Sequence, residues 1–252
     1  MKAIIFAAGL GTRLKPLTDT MPKALVPING KPLLEWQLEK LYRAGLTDII
    51  VNVHHFPDQI IDYLHTHYPS VQVSDERNLL LETGGGLMKV LQDNPTLITQ
   101  NEPVLALNVD ILSNIDLPAF IRAYRPDDIA SLVVSNRTTQ RYLCWDKNLQ
   151  LKGWTNIATG ELRPTPDAFN LADTQLLAFS GMQLLSPRVL PYMQEIGKDK
   201  FSVIDLYLHI VAQHPSERVR AYVPCNYRMM DIGKIDHLTE AEHFAKNLSE
   251  AN

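Results

Sequence analysis

The stretch Met1-Lys2-Ala3-Ile4-Ile5-Phe6-Ala7-Ala8-Gly9-Leu10-Gly11-Thr12-Arg13, continuing through Pro22-Lys23-Ala24-Leu25-Val26-Pro27 to Asn29-Gly30-Lys31-Pro32, decides how the chain is read. Ala3 to Ala7 is a short, uninterrupted apolar run, as expected of a strand buried on both faces of a parallel sheet. A turn of small residues follows it directly. In an open parallel sheet the carboxyl edge of a strand is where ligands bind. Glycines at that edge allow a ligand close to the backbone and turn N–H groups towards it. Arg13 and Lys23 add positive charge, so the stretch reads as a polyphosphate site.

Two common phosphate motifs fail here. The dinucleotide fingerprint needs glycine where Leu14 stands, and no Gly-Lys-Ser/Thr follows the turn. What remains is Gly9-x-Gly11-x-Arg13 followed by Pro22-Lys23.

Working outward, Leu33 to Ala44 has helical spacing with Gly45 placed for a C-cap. Asp48–Val53 is a second core strand, Pro57 opens an amphipathic helix, and 71–73 is a third strand. Glu82-Thr83-Gly84-Gly85-Gly86 is a glycine loop opening a helix with Leu87, Val90 and Leu91. Val104–Asn108 is a fourth strand ending near Asp110. Strand and helix alternate, which predicts parallel βαβ units. The second half predicts a strand at 130–135, an antiparallel hairpin over 142–155 and a surface loop over 156–174. Beyond these come a strand over 176–185 broken at Ser180-Gly181, a helix over 203–213, a strand over 219–223 and a last helix over 235–245. The fold class is therefore α/β: a Rossmann-like mixed, mainly parallel sheet flanked by helices, with a small antiparallel part. No linker divides it, so 1–252 is expected as one domain.

Composition excludes other classes. The chain has 252 residues, 45% hydrophobic and 21% charged, with a formal net charge of −4. Such a balance gives no electrostatic case for nucleic acid or an anionic membrane surface. Neither is an apolar run long enough to span a bilayer present. Met1-Lys2-Ala3 leads straight into a strand, so no leader peptide and a cytoplasmic location are expected. Cys144 and Cys225 are far apart and read as buried free thiols. His54-His55 and His65-x-His67 lack further metal ligands at suitable spacing. Asp236, Glu240 and Glu242 read as a solvated helix face.

The quoted N-terminal stretch, with Leu81-Glu82-Thr83-Gly84-Gly85-Gly86, Asn108-Val109-Asp110, Phe179-Ser180-Gly181 and Asp231-Ile232-Gly233 in that order, resembles the sugar-1-phosphate nucleotidylyltransferases. The resemblance implies the nucleotide-diphospho-sugar transferase fold. It also implies transfer of a nucleotidyl group from an NTP to a sugar 1-phosphate with release of pyrophosphate, an EC 2.7.7 activity. It assigns catalysis to Arg13 and Lys23, and nucleotide contacts to Ala7, Ala8, Gly9, Gly11, Thr12, Arg13, Glu82, Gly84, Gly85 and Asn108. Asp110 and Asp231 would hold Mg²⁺. Ser180 and Gly181, with Gly153 and Trp154 in the hairpin, would meet the sugar phosphate. Residues 1–112 would mainly serve the NTP and 113–252 the acceptor. Among such enzymes the sequence is most similar to N-acetylmuramate 1-phosphate uridylyltransferases, with GTP-dependent mannose- and heptose-1-phosphate guanylyltransferases next. A nucleotide-sugar glycosyltransferase would carry Asp-x-Asp where this chain has Asn108-Val109-Asp110, and a non-catalytic sensor would not need Arg13, Lys23 and Asp110. The Glu-Lys-Pro whose lysine binds the acceptor phosphate in many relatives is missing. Lys152, Arg163 and Lys200 are the candidates to replace it. With little chain after Asp231, the β-helix acyltransferase domain of bifunctional relatives is not expected within these residues.

Overall fold

The computed structural model describes residues 1–100, 102–164 and 169–250. At its centre lies β1 (Ala3–Phe6). Ala3 and Ile5 point into one hydrophobic core and Ile4 and Phe6 into another on the opposite face of the sheet. Because both faces are covered by packed elements, the strand is apolar throughout rather than alternating. Three short 3₁₀ turns, Thr12–Leu14, Leu17–Asp19 and Lys23–Leu25, follow. A small hairpin of β2 (Pro27–Ile28) and β3 (Lys31–Pro32) closes on Asn29 and Gly30, both at positive φ (51° and 74°). A type I′ turn requires that of both central residues.

Helix α1 (Leu33–Arg43) ends as Gly45 predicts: at φ 77°, its N–H donates to the Tyr42 carbonyl and that of Leu46 to Leu41. Then come β4 (Ile49–Val53), α2 (Pro57–His67) and β5 (Gln72–Asp75). Helices α3 (Glu82–Asp93) and α4 (Pro95–Gln100) lead to β6 (Val104–Asn108). All four of these strands run parallel, in the order β6-β1-β4-β5. The chain winds outwards from β1 to β5 and then returns to the other side of β1. The loops after β1 and β6 therefore diverge, and their divergence opens a crevice at the carboxyl edge.

In the second half, β7 (Ile111–Ser113) and α5 (Leu117–Ala123) precede β8 (Ala130–Ser135), β9 (Arg141–Trp145), β10 (Leu151–Asn156), β11 (Glu161–Arg163) and β12 (Gln175–Leu185). Helices α6 (Leu190–Glu195) and α7 (Val203–Gln213), strands β13 (Val219–Tyr222) and β14 (Met229–Asp231), and helix α8 (Leu238–Glu250) complete the order. Long β12 joins the two halves of a ten-stranded sheet, since it pairs antiparallel with β6, β8 and β9. Its register on β8 shifts between Phe179 and Gln183, and Gly181 sits there at φ 69°. The expected break at Ser180-Gly181 is thus a bulge inside one continuous strand.

Three expectations change. Residues 156–174 are not all loop: β11 hydrogen-bonds along the edge of β10, satisfying backbone groups that an edge strand leaves unpaired. Leu171–Asp173 forms a further 3₁₀ turn, and residues 165–168 lie outside the described residues. Cys144 is buried but Cys225 is exposed. The glycines of Glu82–Gly86 lie within α3 rather than before it. Among the described residues, no helix is long and apolar enough to cross a membrane.

Candidate active site at the carboxyl edges of β1 and β6

The loop after β1 is anchored from below. Asn52, buried in β4, accepts the N–H groups of Ala7 (2.7 Å) and Ala8 (3.3 Å) on its Oδ1. Its Nδ2 donates to Glu76 Oε1 at 2.8 Å, and burial raises the Glu76 pKa above the usual carboxylate range. The Ala7 and Ala8 N–H groups are therefore taken by Asn52, while Ala7 itself lines the cleft beside the loop. Among the described residues, the N–H groups of Gly9, Leu10 and Gly11 have no protein partner. They stand beside a cleft of about 390 Å³ that Arg13, Lys23, Thr83 and Asn108 also line. Gly11 adopts φ 63°, and its carbonyl accepts the Thr18 hydroxyl at 2.8 Å. A Cβ at Gly9 would meet nothing within 4 Å, so that glycine keeps space open in the cleft.

Opposite the loop stand two carboxylates. Asp110 follows β6, and its Oδ2 is paired with the Nζ of Lys23, which is 8% exposed. Asp231 arrives from the far end of the sequence. β14 pairs antiparallel with β7 so that Asp231 lies opposite Ile111, and the Ile232 N–H donates to the Asp110 carbonyl at 2.9 Å. Asp231 is exposed beside Gly233, which lines the cleft, yet the surrounding protein and then the Asp110 charge raise its pKa, with Lys23 and Arg13 opposing. A Cβ at Gly233 would stand 2.7 Å from both Arg13 Nη2 and Asp231 Oδ1, so glycine leaves that space to the ends of the two side chains. Arg13, Lys23, Asp110 and Asp231 thus converge from four separate segments.

The glycines of α3 serve another purpose. A Cβ at Gly84 would overlap the Phe201 ring, and one at Gly85 the Asp199 carbonyl oxygen. Both of their N–H groups donate to the Phe201 carbonyl, at 2.9 and 3.2 Å. Close approach is made here by the protein's own 199–201 segment. Of this stretch, Thr83 lines the cleft, while Glu82, at φ 62°, faces Lys200.

A second cleft, of about 510 Å³, lies over the antiparallel strands. Trp154, Arg137, Arg141, Arg163 and Asp205 line it. Gly153 does not reach it, because its Cβ position is filled by Phe169. Ser180 is buried, 3.5 Å from the Ser135 hydroxyl, and Gly181 packs under Asn108. Of the three cations considered for the acceptor phosphate, Lys152 pairs with Asp146 and lines a different hollow, and Lys200 faces Glu82. Arg163 lines the second cleft, over the Trp154 ring and paired with Asp205 at 2.8 Å. Arg137 was not legible as a site residue. It has no carboxylate partner among the described residues, donates to the Phe179 carbonyl at 3.2 Å and acts electrostatically on Asp231. Nothing in its local sequence marks it.

A profile of the nucleotidyl transferase family matches residues 2–142, more than half of the chain. The chain belongs to the nucleotidyl transferase family. It is 40% identical over 113 residues to the N-acetylmuramate α-1-phosphate uridylyltransferase of Caulobacter vibrioides, covering 43% of this chain and 45% of that one. It is 27% identical over 258 residues to the UTP–glucose-1-phosphate uridylyltransferase of Synechocystis, covering 96% and 62%. The chain thus spans less than two thirds of the length of either relative. The solved inositol-1-phosphate CTP transferase from T. maritima shares the fold at a TM-score of 0.75 and 14% identity, over 99% of this chain and 96% of that one. The matched region holds the loop after β1, Lys23 and Asp110. Asp231 lies beyond it, and the second cleft straddles its end, with Arg137 and Arg141 inside and Trp154, Arg163 and Asp205 outside.

Proposed function

We propose that the chain is a sugar-1-phosphate nucleotidylyltransferase, joining an NTP and a sugar 1-phosphate into an NDP-sugar and pyrophosphate. The observation that carries this reading is the convergence of Arg13, Lys23, Asp110 and Asp231 beside unpaired loop N–H groups at the β1/β6 crevice. The acceptor phosphate oxygen attacks the α-phosphorus, a new P–O bond forms, and the bond to the β-phosphate oxygen breaks. The nucleophile is already ionised, so no side-chain base is needed. The work is positioning and charge neutralisation. The loop N–H groups and the Arg13 fork hold the triphosphate and the departing pyrophosphate. Lys23, a compact charge, moves from Asp110 to the phosphate that reacts.

Mg²⁺ fits the donors. Two carboxylates sit against two cations, so the cluster is balanced before a polyanion enters, and the Asp231 pKa is raised partly by the neighbouring Asp110 charge. Such an all-oxygen pair suits a hard cation shared with phosphates. Asp110 and Asp231 would hold the ion, and when bound it would neutralise phosphate charge. For the acceptor we assign the second cleft, with Trp154 under the sugar and Arg137, supported by Arg163, on its phosphate. Residues 1–112 then serve mainly the NTP and 113–252 mainly the acceptor, within one domain.

Similarity to a uridylyltransferase supports UTP with N-acetylmuramate 1-phosphate as the first pair to test. The test is a grid of four NTPs against N-acetylmuramate, mannose, heptose, glucose and N-acetylglucosamine 1-phosphates. Turnover with one preferred pair is expected, and no turnover in any cell overturns the reading.

A further inference from the structure

A cluster outside both clefts combines nitrogen and oxygen donors. Glu195 ends α6, His209 lies in α7, and His214 is the residue that caps α7. The Nε2 atoms of His209 and His214 lie 2.9 and 2.6 Å from the same Glu195 Oε2. One ligand atom from each residue lies within 4.8 Å of the others. Donors bound to one tetrahedral Zn²⁺ at about 2.0–2.2 Å stand about 3.4 Å apart, so the two short nitrogen–oxygen pairs would open slightly to admit the ion, and small side-chain rotations suffice.

We propose that Glu195, His209 and His214 form a surface site for a borderline divalent transition ion of the Zn²⁺ class. Three features favour a cation of that kind. The donor set is two imidazoles and a carboxylate, which suits Zn²⁺ and its neighbours and not Mg²⁺, whose preference is for oxygen. The group gathers at the carboxyl ends of two helices, where the peptide dipoles favour positive charge. Its side chains are 25–43% exposed, leaving open positions for water or another ligand. The His214 ring is also held: it packs on Tyr192 with centroids 4.5 Å apart, and the Tyr192 hydroxyl donates to Glu217 at 2.8 Å. An ion here would clamp α6 to the end of α7. α7 is about 16 Å long, and its other end meets Thr83 beside the first cleft through the Val203 N–H. The site is independent of the nucleotidyl-transfer reading, because the Asp110 and Asp231 pair offers only oxygen.

The full chain, stripped with a chelator, is titrated with Zn²⁺ and with Co²⁺ under saturating Mg²⁺. The result expected is one equivalent bound, visible d–d bands for Co²⁺, and a rise in melting temperature that a chelator reverses. H209Q, H214Q and E195Q, each checked for fold by circular dichroism, should weaken uptake by about tenfold or more and lose the Zn²⁺-dependent rise. If no Zn²⁺ binds, or if the three variants bind as the parent does, the proposal is overturned and the cluster is a hydrogen-bonded clamp only.

Discussion

Lys23 and Asp110 neutralise each other, so removing either strands a charge beside Asp231. Lys23→Ala and Asp110→Asn should each lower kcat/KM by roughly 10²–10³-fold, the scale seen when one pre-positioned electrostatic group is removed. Steady-state pyrophosphate release measures this. Arg137 calls for a different signature. As a cation on the acceptor, its change to Ala should raise KM for the sugar 1-phosphate while leaving KM for the NTP nearly unchanged. Equal effects on both would place Arg137 elsewhere. The proposed reaction puts the nucleotide beside Gly9, whose Cβ position meets nothing within 4 Å beyond its chain neighbours. Gly9→Ala should leave the melting temperature unchanged and weaken NTP binding.

At the scale of elements, the glycines of α3 behave in the opposite way. Gly85→Ala drives a methyl into the Asp199 carbonyl, a collision between two backbones that no rotamer change relieves. A loss of about 1–3 kcal/mol in a denaturant melt is expected. The same contrast shows what could be read from the sequence. β1, the glycine turn, Arg13 and Lys23 are contiguous, and local composition alone announces them. That α3's glycines make room for the protein's own chain depends on Phe201, more than a hundred positions away. The placing of Asp231 beside Asp110 likewise rests on β14 pairing with β7, two three-residue strands with too little pattern to be recognised. Gly153, set against the sugar phosphate by resemblance alone, instead has Phe169 in the space at its Cβ position. Glycine reports a close approach; it does not say by what.

Over the whole molecule, two hydrophobic cores hold the sheet between them, and the crevice forms only because β6 returns to the far side of β1. One polar group sits uneasily in that packing. Lys40 reaches only neutral acceptors, Gln37 Oε1 at 3.2 Å and Ser113 Oγ at 3.3 Å, and burial lowers its pKa to about 8. In the unfolded chain a lysine titrates near ~10.4. At pH 7 both states carry the proton and the penalty of burying the charge is fully present. Between pH 8 and about 10.4 only the unfolded chain holds it, so the Lys40 contribution makes stability rise with pH across that window. Lys40→Met should flatten that rise and raise the melting temperature at pH 7, as thermal melts at several pH values would record.

In the proposed reaction the cluster at the β1/β6 crevice transfers a nucleotidyl group. Pyrophosphate release by the purified chain, with and without Mg²⁺, each substrate and the Lys23→Ala and Asp110→Ala changes, tests it most directly. Release is expected only when Mg²⁺, an NTP and a sugar 1-phosphate are all present, with near loss in both variants. Release that needed no sugar 1-phosphate, or that survived intact in either variant, would contradict it.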